Sequence, residues 1–314
     1  MNIADSERIA AVLELKGYSP TDEKRADLII INACSVRQKA VDRIWGVVKN
    51  WQKQKKEIII TGCVLPSDRK KLAEKGIGYK NFSQIDFDPN FITYNLSRIT
   101  YIPIMAGCDN FCSYCAVPFT RGREKSRAEK EIIDDVERAL KNGSKNILLL
   151  GQNVNSYKFG FARLLKKIDN LPAKFAFNFM SSNPHDMTDE IIDTFSKLKK
   201  WSHELHLPLQ SGDDEILKAM NRKYDSAQYL KLIKNLKLKI KKLVLTTDII
   251  VGFPGETKAQ FNNTVKICKK IGFKKAYLGQ YSPRPGTVSA KMDDNVPSLE
   301  KKRRWLVLNK LINK

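Results

Sequence analysis

The chain has 314 residues, and its 56 Lys and Arg against 34 Asp and Glu give a formal net charge of +22. Hydrophobic residues make up 42% and charged residues 29%, which is too apolar for a disordered chain and ordinary for a folded one. Apolar runs such as 28–31 and 147–150 fall far short of the roughly 18 residues that cross a bilayer, and no basic start leads into an apolar stretch. These features exclude a secretory signal or spanning helix and make the chain cytoplasmic by expectation.

In chain order, residues 5–16 read as a helix with Ile9, Val12, Leu13 and Leu15 apolar and Gly17 as its stop. A continuous apolar strand at 27–33 follows. Next come a helix over 36–54 with Val41, Ile44, Trp45 and Val48 on one stripe, a second buried strand at 57–61, and a helix over 66–75 ended by Gly76. Unbroken apolar strands between helices imply a parallel sheet covered on both faces. The chain opens on a helix, with no strand before it.

From Tyr101 the pattern restarts. Segments 101–106, 146–150, 175–180, 204–209, 243–251 and 276–281 read as six strands with helices between most of them. One helix covers 129–142 and ends at Gly143; another starts at Thr257, where Gln260 completes a capping box. The fold class is therefore α/β. An N-terminal parallel-sheet domain spans 1–88, a linker with Pro89 spans 89–98, a partial (β/α)6 barrel spans 99–290, and a basic helical tail spans 291–314. Barrel chemistry belongs at the C-terminal ends of the strands.

The positive charge points to a polyanionic partner, because clustered Lys and Arg displace counterions from a phosphate backbone. A Lys- and Asn-rich composition spread over every face is the alternative. The six lysines of 231–242 read as an exposed helix face. Six cysteines in a cytoplasmic chain favour metal binding or catalysis over disulfides. Cys108, Cys112 and Cys115 form Cys-x3-Cys-x2-Cys directly after the first barrel strand. Three thiolates on one loop can hold three irons of a [4Fe–4S] cluster and leave the fourth iron open to substrate. Zinc is the alternative, but it wants a fourth protein ligand. The only histidines, His185, His203 and His206, fit no ligand spacing. Cys34 and Cys63 each end a parallel strand, in Ile-Ile-Ile-Asn-Ala-Cys and Ile-Ile-Ile-Thr-Gly-Cys. Such ends share one sheet edge, so the two thiols are expected to be neighbours; two unrelated buried cysteines are the other possibility. Cys268 follows Phe261 and Val265 on a helix face and reads as core.

The cysteine loop, with Phe111 and Tyr114 among its cysteines, resembles the radical S-adenosylmethionine superfamily. Several segments together resemble one part of it, the methylthiotransferase family, over nearly the whole chain. They are Gly107-Cys-Asp-Asn-Phe-Cys-Ser-Tyr-Cys115, Val117-Pro-Phe-Thr-Arg-Gly-Arg-Glu124, Asn32-Ala-Cys-Ser-Val-Arg37 and Thr61-Gly-Cys63. Later barrel strands contribute His206-Leu-Pro-Leu-Gln-Ser-Gly212, Met220-Asn-Arg222, Asp248-Ile-Ile-Val-Gly-Phe-Pro-Gly-Glu256 and Tyr281-Ser-Pro-Arg-Pro-Gly-Thr287. Gly151-Gln-Asn-Val-Asn-Ser-Tyr157 and Ser182-Asn-Pro-His-Asp-Met187 are similar to its MiaB branch.

The resemblance implies radical chemistry on S-adenosylmethionine that adds a methylthio group to carbon-2 of an isopentenylated adenosine beside the tRNA anticodon, at position 37. A threonylcarbamoylated adenosine, a ribosomal protein, or cluster and RNA binding without turnover are the other readings. It implies a radical [4Fe–4S] cluster on Cys108, Cys112 and Cys115 and a second [4Fe–4S] cluster for sulfur delivery, held in the family by three N-terminal cysteines, two of which Cys34 and Cys63 match. Tyr114 would flank the cofactor's adenine, Gly151 and Gln152 would meet its amino group, and Gln210, Ser211 and Val251 would line its ribose and adenine. Arg121, Arg123 and Arg127 would bind RNA phosphates. The implied partners are a tRNA anticodon stem-loop, whose unpaired base can be splayed into a pocket, a low-potential electron donor and a sulfur donor, with the chain acting as a monomer. Met1-Asn2 aligns just after the family's first cysteine, and Lys314 stands where its small RNA-binding TRAM barrel starts. The expectation is therefore one stable cluster and at most a labile second.

Overall fold

The structure, a computed structural model, describes residues 2–34, 38–80 and 99–313. The N-terminal unit contains α1 (Asn2–Leu15), β1 (Leu28–Cys34), α2 (Gln38–Lys53), β2 (Glu57–Cys63), α3 (Pro66–Glu74) and the short β3 (Gly78–Tyr79). The isoleucine runs Ile29–Ile31 and Ile58–Ile60 favour extended backbone because β-branched side chains are stiff and pack well on a pleated surface. They pair in parallel, in the order β1-β2-β3. Ala33, Ile58, Ile60 and Val64 then pack with Val48 of α2 and Leu72 of α3. Pro66 sits in the first turn of α3, where its missing N–H costs nothing. The β1–β2 register runs from Leu28 opposite Glu57 to Cys34 opposite Cys63.

The second unit begins with β4 (Thr100–Pro103), β5 (Met105–Ala106), the one-turn α4 (Val117–Thr120), β6 (Lys125–Ser126), α5 (Glu129–Lys141) and β7 (Asn146–Leu150). It continues with α6 (Phe161–Asp169), β8 (Ala176–Phe179), α7 (Asp189–Phe195), β9 (Glu204–His206), α8 (Asp214–Ala219) and α9 (Ser226–Lys239). It ends with β10 (Val244–Val251), α10 (Lys258–Ile271), β11 (Lys275–Gln280) and α11 (Ser298–Ile312). Strands β4-β7-β8 and β9-β10-β11 form two parallel sheets. A parallel bridge between Phe177 and Trp201 joins them, with the Phe177 N–H donating to the Lys200 carbonyl at 2.9 Å. Six strands thus form one open arc, β4-β7-β8-β9-β10-β11, wrapped by helices. Its core is aromatic where β8 meets α7: Phe195 and Trp201 both stack on Phe179, with centroids 5.3 and 5.9 Å away.

Each of the six strands expected from the sequence is present. The first divides, because after Ile104 the chain leaves β7 and Met105–Ala106 pairs antiparallel with Lys125–Ser126. The Thr257–Gln260 capping box starts α10 as expected, and Cys268 is buried on that helix. The expected linker over 89–98 lies outside the described residues, as do positions 36 and 37 of the second helix. Among the described residues no helix is long and apolar enough to cross a membrane.

Candidate active site at the mouth of the barrel

The cysteine loop runs from β5 to α4, at the C-terminal end of the arc. Gly107 makes it possible. Its φ is +78°, and a Cβ there would come within 2.1 Å of the Arg123 carbonyl oxygen, so only glycine lets the two arms of the loop close. The Cys108 N–H donates to the Gly122 carbonyl at 3.2 Å, and the Ser113 hydroxyl donates to the Ala219 carbonyl at 2.7 Å, fastening the loop to the end of α8. The sulfurs have their own donors. Asn110 Nδ2 lies 3.5 Å from Cys108 Sγ, and Arg222 NH1 lies 3.2 Å from Cys112 Sγ. Arg222 also donates to Asn183 Oδ1 at 3.1 Å and to the Tyr224 hydroxyl at 3.1 Å. Burial opposes its charge, but Tyr114, Tyr224 and Cys112 around it hold its pKa above the ordinary value. Burial pushes the Cys115 thiol up to about 12 and the Cys108 thiol upward, so a cation is needed to keep them as thiolates.

Among the described residues no three Cys, His, Asp or Glu side chains converge as one metal ion requires.

Beside this loop lies a cavity of about 310 Å³. Of the residues expected at the site, it brings together Tyr114, Cys115, Gln210 and Cys63, and it adds Asp248, Tyr277 and Arg284. Gln210 has φ +64° and is tied to β10 through the Asp248 carbonyl at 2.8 Å and the Ile250 N–H at 3.0 Å. Its buried Oε1 has no partner, and neither do Gln152 Oε1, Asn153 Oδ1 and Ser182 Oγ at the ends of β7 and β8. Buried polar atoms are nearly always satisfied, so Gln210 Oε1, on the wall of the cavity, is free to meet a polar ligand there; Gln152 does not line this cavity. Asp248 is steadied by buried His206, whose Nε2 is 3.2 Å from Asp248 Oδ2 and whose Nδ1 is 3.0 Å from the Thr246 hydroxyl.

Other expected residues are placed elsewhere. Ser211 is fully buried, with its hydroxyl 3.4 Å from that of Thr264 on α10, and Val251 belongs to the barrel core. Neither lines the cavity, because the turn after β9 points Ser211 at a helix and Val251 sits on the helix-facing side of β10. Gly151 does not line it either; a Cβ there would come 2.6 Å from Met105.

The N-terminal unit completes the site. Cys34 and Cys63 are directly opposed at the ends of β1 and β2, as their strand-end positions predict. Cys63 Sγ accepts from Arg121 Nε at 2.9 Å, and Arg121 also donates to Asp5 Oδ2 at 2.6 Å and Asn2 Oδ1 at 3.0 Å. Burial raises the Cys63 thiol, and Arg121 opposes that shift. Arg284, reaching over from beyond β11, has its charge opposed by burial and supported by Asp68, Cys34 and Asp42. Arg121 is therefore an internal cation and not one of a surface trio. Arg127 is likewise engaged by Asp135 Oδ2 and the Pro103 carbonyl, each at 2.8 Å. Arg123 alone of the three is well exposed. Sequence reasoning missed Arg222, Asp248 and Arg284 as individual residues, although each lies in a segment that carries the family resemblance.

A family model described as the Radical SAM superfamily matches residues 102–268, and one described as Uncharacterized protein family UPF0004 matches residues 1–81. The chain is 39% identical to the tRNA-2-methylthio-N(6)-dimethylallyladenosine synthase of Endomicrobium trichonymphae, over all of this chain and 82% of that protein. It is 36% identical to the protein of the same name from Carboxydothermus hydrogenoformans, over all of this chain and 81% of that one. Among solved structures it is similar to the radical S-adenosylmethionine methyltransferase TsrM of Kitasatospora setae, with a TM-score of 0.60, 11% identity, and 87% of this chain and 64% of that one covered. The cobalamin-dependent S-adenosylmethionine radical enzyme OxsB also gives a TM-score of 0.60, at 10% identity over 99% of this chain and 53% of that one. At such identities the two structures share the fold alone. The likeness to the synthases over the whole of this chain and the cysteine loop on its barrel place the chain in the radical S-adenosylmethionine methylthiotransferase family.

Proposed function

We propose that this chain transfers a methylthio group to carbon-2 of an N6-dimethylallylated (isopentenylated) adenosine beside the tRNA anticodon, the activity that the names of its relatives describe. The observation that carries the reading is the cavity itself, which sets Cys63 of the N-terminal sheet beside Tyr114 and Cys115 of the cluster loop. A sulfur-handling thiol and a radical-generating loop then share one chamber.

Cys108, Cys112 and Cys115 hold three irons of a [4Fe–4S] cluster, which when bound supplies the electron that cleaves S-adenosylmethionine. Tyr114 would flank the cofactor's adenine, Gln210 and Asp248 would accept hydrogen bonds from its sugar or amine, and Gln152 with Ser182 would offer acceptors to its amino-acid end. Cys34 and Cys63 provide two thiolates for a second cluster, with Arg121 and Arg284 balancing their charge. The domains follow the division 1–88, 89–98, 99–290 and 291–314. The protein acts in the cytoplasm as a monomer on an anticodon stem-loop, with a low-potential electron donor and a sulfur donor.

The test is anaerobic reconstitution with iron and sulfide, followed by incubation with dimethylallylated tRNA, S-adenosylmethionine and a reductant. Methylthiolated adenosine in digested tRNA, together with 5′-deoxyadenosine, is expected. 5′-Deoxyadenosine without any modified nucleoside, in tRNAs bearing either N6 substituent, would remove the substrate assignment.

A further inference from the structure

Phe111 stands between two cysteines of the cluster loop, yet it is 39% exposed. Its φ is +47°, a left-handed conformation unfavourable for a bulky L-residue and often found at functional sites. The strain is braced: Asn221, itself at φ +56°, donates Nδ2 to the Phe111 carbonyl at 2.9 Å. The Arg123 guanidinium lies 5.0 Å from the ring centroid, with its Nε 2.8 Å from Asp109 Oδ1 and its side chain 68% exposed. The backbone of Arg123 is fixed by the close approach of Gly107. A rigid frame therefore holds a large apolar ring and a cation in water, next to the reacting centre and outside every core cluster. Val288 is also exposed near this loop, beside Ser289, whose N–H donates to the Ser113 carbonyl at 2.9 Å.

An aromatic ring paired with a guanidinium offers little to a stacked duplex, whose bases show no free face. It suits an unpaired base, which stacks on either plane. We propose that Phe111, with Arg123 beside its ring, is a stacking platform for an unpaired nucleobase adjacent to the modified adenosine. The inference rests on the tRNA reading above and adds where the loop is gripped.

The experiment uses the reconstituted protein and a dimethylallylated anticodon stem-loop carrying 2-aminopurine at the nucleotide next to the target. Quenching of its fluorescence and Kd are measured at several salt concentrations, with iron per chain measured for each variant. Phe111→Leu is expected to abolish the quenching and to raise Kd roughly 5- to 100-fold. Phe111→Trp should keep both close to wild type. Arg123→Gln, far out on the surface, should raise Kd and weaken the quenching; the quenching decides the matter should Phe111→Leu lose its iron. If the wild type prefers the stem-loop over a blunt duplex of equal length and both variants bind and quench like it, the platform is overturned and the tRNA reading survives. If the wild type shows no such preference, both fall. Unchanged RNA binding with weakened binding of an acidic electron-donor protein would make this face a protein interface and overturn the proposal.

Discussion

Each sulfur of the cluster loop has an N–H beside it. Cys108 receives Asn110, Cys112 receives Arg222, and Cys115 receives the backbone of Val117. Such bonds stabilise a thiolate and help set the potential of any cluster it holds. Cys112→Ala should abolish formation of 5′-deoxyadenosine after reconstitution, measured by chromatography under dithionite reduction. Arg222→Gln should load iron but make 5′-deoxyadenosine roughly 10- to 150-fold more slowly, as expected for losing a charge-assisted hydrogen bond worth about 1.5–3 kcal/mol. Its reduction potential, followed by electron paramagnetic resonance, should fall, and Arg222→Lys should recover part of it. The cysteines were legible in the sequence because their chemistry is carried by local spacing. The arginines were not. Arg121 finds Asp5 at a separation of 116 residues and Arg222 finds Cys112 at 110, and no local pattern records such pairings. Ser211 and Val251 lie off the cavity for a related reason: a strand end says which side chains are near a site, but the following turn decides which of them face it.

At the scale of elements, α11 is held by charge as much as by packing. Glu300 in its first turn accepts from Arg303 at 2.7 Å and from Arg304 at 2.9 Å, while Arg304 reaches buried Glu256 at 2.7 Å. These hydrogen bonds lower the Glu300 carboxyl to about 2, from an ordinary value of 4.5. A carboxyl whose folded pKa is depressed contributes its full stability above the unfolded value and loses it as the pH falls through the folded one. Glu300→Gln should therefore lower the melting temperature by about 2–4 °C near neutral pH. The difference from wild type should shrink steadily between pH 4.5 and 2, as scanning calorimetry or circular dichroism would show. Element positions were largely readable, because isoleucine runs and a Thr-x-x-Gln cap act locally. The β5–β6 pairing was not, since two-residue strands carry no period and are joined only by the closure that Gly107 permits.

In the whole molecule, the N-terminal unit is docked rather than appended. Asp5 and Arg121 form a 2.6 Å ion pair with side chains 2% and 11% exposed. Arg121→Gln removes the cation that bonds this carboxylate while Arg8 still faces it, a loss of about 1.5–3 kcal/mol, as for a hydrogen bond to a charged group. Amide exchange should accelerate throughout α1 while the barrel core keeps its protection. Asp5→Asn combined with Arg121→Gln should cost less than the sum of the two changes, because they share one interaction.

Among the described residues β4 and β11 are not paired with each other, so the arc has two free ends. The N-terminal unit meets both: α1 packs on β4, where Ala4 and Arg8 lie against Tyr101, Ile102 and Pro103, and Arg284 from beyond β11 reaches the charges around Cys34. The N-terminal unit therefore clasps both ends of the arc, as a staple holds two edges. A bulkier side chain at buried Ala4 is expected to prise that staple off at β4, read as faster amide exchange in α1 and β4 than in β9 and β10.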